Sequence, residues 1–157
     1  MRTIPSSSSA AGSVDGFAGT GSGLASFENI DRLVGTSGND RLTGANIDAV
    51  FELGESCRYL AAGQEISFVS FEALIGGTAD DIFRFADGYV FEGLVDGGAG
   101  TDRLDFSAST TGRVVRLTSF NDHGYGGIQA AIGQGFGGID SIIVSGAGGM
   151  NANRLYG

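Results

Sequence analysis

Gly97-Gly98-Ala99-Gly100-Thr101-Asp102-Arg103-Leu104-Asp105 follows the pattern G-G-x-G-x-D-x-(aliphatic)-x without a mismatch. The chemistry it suggests is a turn for a hard cation. Glycines permit a tight bend with inward carbonyls, and Asp102 adds carboxylate oxygen, the ligand type that Ca2+ prefers. Two further turns follow the plan less fully. Gly35 to Asp40 has Thr36 in place of the second glycine, and Gly76 to Asp81 has Ala79 in place of the later one. A fourth, Gly146 to Asn153, lacks the aspartate. Asp81 and Asp102 are 21 residues apart, and Asp40 and Asp81 are 41 apart. The candidate metal set is therefore Asp81, Gly97, Gly98, Gly100 and Asp102, meeting one ion only if their two turns stack directly. An isolated turn would fall short of the roughly six to eight oxygens that Ca2+ takes. The competing role is mechanical: Asp40, Asp81 and Asp102 can each cap a turn by accepting backbone N–H bonds.

Other chemistry finds little support. Asp80, Asp81, Asp102 and Asp105 are the carboxylates that a polysaccharide-cleaving enzyme would need to converge, but they sit in turns that use them for structure. No Ser-His-Asp set, GxSxG elbow, HExxH helix or phosphate loop occurs. No catalytic residue is assigned, and the chain is read as non-enzymatic. Cys57 and His123 are the only residues of their types, so neither a disulfide within the chain nor a Cys/His zinc site is expected. Cys57 reads as a buried or half-buried small apolar residue. His123, within Asn121-Asp122-His123-Gly124, reads as a loop residue.

The net charge of −9 and the lack of any basic run argue against nucleic acid. No apolar stretch approaches the roughly 20 residues of a membrane helix, so no membrane insertion is expected. Met1 to Ser9 carries one arginine and then serines, with no apolar stretch, so no secretory signal is visible.

Hydrophobic residues make up 41% of the chain, which indicates a packed core, and the 29 glycines are interleaved with Val, Ile, Leu and Phe as turn residues between strands. Helical periodicity is poor; Gly127 to Ile132 is the best window and is short. Strands are expected at 50–53, 66–74, 82–85, 89–92, 114–117 and 139–144. Short strands are also expected to open at Arg41, Arg103 and Arg154, just after turns.

Internal repetition is the strongest signal. Phe27-Glu28-Asn29-Ile30-Asp31-Arg32-Leu33-Val34 and Phe136-Gly137-Gly138-Ile139-Asp140-Ser141-Ile142-Ile143-Val144 share the Phe, the Ile-Asp pair and two aliphatics, and Phe71 to Gly76 is a shorter version. Repeats of this kind bury their apolar face by stacking. The expected fold is all-β, a right-handed parallel β-solenoid over residues 24–157. Residues 1–23 are expected to be a Ser/Gly-rich leader or partial coil that covers a sheet edge if it orders.

On these motifs the chain resembles hemolysin-type calcium-binding repeats. It is still more similar to the β-strand-repeat regions of very large bacterial exoproteins and adhesin-like proteins. The phrases that carry the resemblance are 27–30, 35–44, 96–108 and 110–117. The resemblance implies a secreted or surface-displayed structural or adhesive module. Its implied partners are further repeats of a longer chain, copies of itself, or a surface or matrix glycan, with Ca2+ as the candidate cofactor.

Overall fold

The fold is described from a computed structural model over residues 17–21, 24–145 and 154–156. The fourth turn, Gly146 to Asn153, and residues 1–16 and 22–23 of the leader lie outside the described residues. The all-β expectation holds.

The strands are β1 (Phe17–Gly21), β2 (Leu24–Ile30), β3 (Arg32–Val34), β4 (Arg41–Thr43), β5 (Ala49–Leu53), β6 (Cys57–Ala61), β7 (Gln64–Val69) and β8 (Ala73–Gly77). They continue as β9 (Asp81–Phe85), β10 (Leu94–Gly98), β11 (Arg103–Phe106), β12 (Val114–Asn121), β13 (Gly124–Gln129), β14 (Ile132–Ile139), β15 (Ser141–Val144) and β16 (Arg154–Tyr156). Sheet I has seven strands in the order β15-β11-β9-β5-β6-β7-β3, sheet II has seven in the order β16-β12-β13-β14-β10-β8-β4, and β1 and β2 pair separately.

The right-handed parallel β-solenoid expected from the repeats is not what the chain forms. Both large sheets are mixed. Parallel pairing runs through β4-β8-β10-β14 and through β5-β9-β11-β15. Antiparallel hairpins interrupt it: β5-β6-β7 in sheet I, β12-β13-β14 in sheet II, and β1-β2. The repeated phrases also do not land on equivalent surfaces. The turn ending at Asp40 carries the chain from sheet I to sheet II, whereas those ending at Asp81 and Asp102 carry it from sheet II to sheet I. A common sequence phrase therefore marks a bend between the sheets, not a fixed place on a coil.

The hairpins have local causes. Between β6 and β7 the two loop residues Ala62 and Gly63 have φ of +51° and +78°. Two consecutive left-handed residues are the mark of the hairpin turn whose twist matches the flanking strands, and that turn favours Asn or Gly at both positions. Ala62 bears a Cβ in a region that costs roughly 1 kcal/mol or more for such a residue. Ala62→Gly or Ala62→Asn is therefore expected to stabilise the fold by about 0.5–1 kcal/mol. The result would be read as a higher denaturant midpoint at unchanged slope. Ser70, at φ +61°, breaks the apolar run 66–74 into β7 and β8.

The two sheets enclose one apolar core. Sheet II contributes the register-aligned row Leu42, Leu74, Val95 and Phe136. Sheet I contributes Ile66, Tyr59, Phe51, Phe83 and Leu104, aligned across five strands and all fully buried. Phe51 stacks on Phe83 at 4.7 Å with an 11° interplanar angle, and Phe85 lies 4.6 Å from Phe106. Equivalent inward positions on adjacent strands thus carry large rings in contact, which is how a row of short strands excludes water. The hairpin β1-β2 joins this core through Phe17, whose ring lies 5.3 Å from Tyr59. Residues 17–21 of the expected leader are therefore an ordered strand.

Sheet I also carries a row of alternating charge. Arg58 pairs with Glu52 at 2.6 Å and Glu65 at 3.3 Å, and Arg84 pairs with Glu52 at 3.4 Å and Asp105 at 3.3 Å. Glu52, Arg84 and Asp105 are direct cross-strand neighbours, so opposite charges face each other at every step.

Candidate functional site

The margin where the chain passes from sheet II to sheet I concentrates the carboxylates. The bends there are β4 to β5, β8 to β9, β10 to β11 and β14 to β15. Parallel pairing places Ala49, Asp81, Asp102 and Asp140 at one level on adjacent strands. The Asp81 and Asp102 turns therefore stack directly, the condition set for a shared ion.

Two rows of side-chain-to-backbone hydrogen bonds join these turns, and they run in opposite directions. In the first, the Asp80 amide donates to Asp48 Oδ1 at 3.3 Å and the Thr101 amide donates to Asp80 Oδ1 at 2.8 Å. In the second, the Asp81 amide donates to Asp102 Oδ1 and the Asp102 amide to Asp140 Oδ2, each at 2.8 Å. Asp81 closes its own turn by accepting the Gly77 amide at 2.8 Å. Amides at a bend have no ladder partner and must be satisfied from elsewhere. Here aspartates of neighbouring turns do it.

Asp81 and Asp102 are both fully buried. Asp81 Oδ1 and Asp102 Oδ2 have no hydrogen-bond partner. Burial pushes the Asp81 carboxyl up to about 7, the charges of Asp102 and Asp48 add to the rise, and the Gly77 amide opposes it. Burial likewise raises Asp102 to about 6, with Asp140, Asp80 and Asp96 adding and the Asp81 amide opposing. Ionised carboxylates are costly in such a place, and like charges on adjacent rungs raise the cost.

The glycines of the nonapeptide serve this stacking. A Cβ on Gly97 would lie 2.0 Å from the Gly138 carbonyl oxygen, one on Gly98 2.4 Å from that of Gly77, and one on Gly100 2.3 Å from that of Ala79. Gly98 and Gly100 also have φ of +91° and +123°. The turns pack backbone on backbone, and a side chain has no room.

Asp81 Oδ1 and Asp102 Oδ2 would supply two of the roughly six to eight oxygens that Ca2+ takes. Among the described residues no three His, Cys, Asp or Glu side chains converge where they could hold a metal ion. Asp40 does not join the corner. It lies at the opposite margin, where its carboxylate takes the Thr36 hydroxyl at 2.6 Å and its amide donates to Glu72 Oε2 at 2.8 Å. Asp105 belongs to the charge row and also accepts the Ser107 amide at 2.9 Å.

Asp48 and Asp140 complete the two rows and were not among the sequence candidates. Their signal is an aspartate directly ahead of a strand that enters sheet I, as at Asp48-Ala49 and Asp140-Ser141. Cys57 is half-buried, with its Sγ 3.3 Å from Tyr89 Oη, beside a cleft of about 560 Å³ lined by Phe68, Phe71, Tyr89 and Phe91. His123 lies exposed in the loop between β12 and β13, its amide donating to Asn121 Oδ1 at 2.8 Å.

Comparison with protein-family models, with curated proteins and with solved structures finds no match to this chain. No helix among the described residues is long and apolar enough to cross a membrane.

Proposed function

We propose that the chain is a non-catalytic structural or adhesive repeat module of an extracellular bacterial protein. One observation carries this reading: the carboxylates that would have to do chemistry are engaged within the fold, Asp80 and Asp102 accepting amides of neighbouring turns, Asp81 an amide of its own turn, and Asp105 pairing with Arg84. An acid–base pair needs side chains free to meet a substrate, and these hold one rung of the fold on the next.

The natural partner is another copy of the chain, or further repeats of a longer one. Among the described residues β3, β4, β15 and β16 each pair on one side only. β3 and β15, at opposite ends of sheet I, run in the same direction. A second copy can therefore extend the sheet without reversing it, by pairing the free edges. With β3 and β4 only three residues each, such contacts are weak and depend on concentration. Light scattering over a concentration series is expected to show a mean mass that rises with concentration. Strictly monomeric behaviour throughout would remove self-association. Release of reducing ends from an acidic polysaccharide incubated with the protein would remove the non-catalytic reading.

A further inference from the structure

We infer that the margin from Asp48 to Asp140 is a metal-independent staple, in which carboxylates bind backbone amides at the place where a calcium ion would otherwise tie successive turns together. Each middle turn is held from both sides. The β8–β9 turn gives its Asp80 amide to Asp48 on one neighbour and its Asp81 amide to Asp102 on the other. The β10–β11 turn repeats the arrangement, with Thr101 bound to Asp80 and Asp102 bound to Asp140.

In each of these four side-chain bonds the donor is a backbone N–H, and N–H seeks an anion or a neutral acceptor, not a cation. Ligation and stapling also compete for atoms. Asp102 Oδ1 already accepts the Asp81 amide and Asp81 Oδ2 that of Gly77, so a metal there would have to share those oxygens with the amides. The role requires an acceptor oxygen at these positions and does not require its charge. Asparagine supplies such an oxygen, and its amide adds a donor beside packed carbonyls. A calcium site would be weakened by that exchange, since it removes one of the charges that hold the ion.

The test is the melting temperature at pH 7.5 of the wild type, Asp102→Asn and Asp102→Ala, each in calcium chloride and in EDTA. The wild type is expected to melt at the same temperature in both, within about 1 °C. Asp102→Asn is expected to match or exceed it, and Asp102→Ala to lose about 5 °C or more. A wild type that loses about 5 °C or more in EDTA overturns the inference. So does an Asn variant that falls as far as the Ala variant. If Asp102→Ala does not fold, the comparison of Asp102→Asn with the wild type in the two solutions carries the result.

Discussion

Raising the pH from 5 to 8 is expected to lower the melting temperature by roughly 10 °C, with most of the loss between pH 5 and 7. The cause is the buried corner. Asp81 and Asp102 hold their protons to about 7 and about 6 in the fold, whereas an unfolded chain releases them near ~4. Between those limits the native state binds more protons than the unfolded one, so its stability falls as pH rises and levels off above the folded values. Each tenfold change in proton affinity is worth about 1.4 kcal/mol. Asp81, moved from 3.8 to about 7, thus accounts for an effect on the order of 4 kcal/mol.

The opposite sign applies to three other carboxyls. The Thr36 hydroxyl holds Asp40 below its ordinary range, and the Thr110 hydroxyl does the same for Asp87. Burial pushes Asp105 up, but bonds from Ser107 and Arg84 outweigh it and bring it down. Their contributions are present at neutral pH and are lost only as pH falls through their lowered values. Maximum stability is therefore expected near pH ~4–5. A pH series of thermal melts, repeated with Asp81→Asn, checks the assignment. The variant should lose most of the slope between pH 5 and 7, and an unchanged slope would place its cause elsewhere.

Gly97→Ala is expected to be among the most damaging single changes in the molecule. Its added methyl would lie 2.0 Å from the Gly138 carbonyl oxygen and 2.5 Å from Asp102 Cβ. One obstacle is backbone of β14 and the other belongs to the turn that leads into β11, so β14 and that turn would both have to move. Overpacking of this kind costs roughly 3 kcal/mol or more when backbone must shift. For a chain of this length that is a fall of roughly 10 °C in melting temperature, and a loss of soluble yield would accompany it. Gly63→Ala is the contrast. No atom lies within 4 Å of its added methyl, though its φ is +78°, so the cost is only the backbone conformation, about 1 kcal/mol. Gly97 itself has no left-handed φ, so a loss at Gly97 no larger than that at Gly63 would show that the neighbouring strands yield cheaply to the added methyl.

The strands were legible where alternation is clean and side chains are large, as at 50–53, 82–85 and 114–117, which lie within β5, β9 and β12. They were not legible where glycine erases the pattern. β13 reads GYGGIQ and β14 reads IGQGFGGI, and the weak helical window at 127–132 is in fact the hairpin between them. Alternation also misled at 89–92, which makes one bridge, Phe91 to Ile132, and no strand.

The architecture was hidden for a geometric reason. Which margin a turn occupies depends on which sheet the chain is leaving, and the unrecognised strand β6 (Cys57–Ala61) lengthens the interval from Asp40 to Asp81 while staying in sheet I between β5 and β7. Of the candidate site, Asp81, Asp102 and the nonapeptide glycines were found through the G-G-x-G-x-D pattern, and the 21 residues between the two aspartates are one passage through β9 and β10. The role of the aspartates as mutual amide acceptors was visible only as turn capping. That they cap the neighbouring turn and not only their own depends on register, which short glycine-rich strands specify weakly.

The row from Glu65 through Arg58, Glu52 and Arg84 to Asp105 gives the protein a second, separate response to its surroundings. The chain contains no lysine, so every cation in that row is a guanidinium, which stays charged at any working pH. Added electrolyte weakens such a half-exposed row by screening it, while the water-excluded corner is little affected by dissolved salt. Between pH 5 and 8, ionic strength acts chiefly on this row and acidity chiefly on the buried corner.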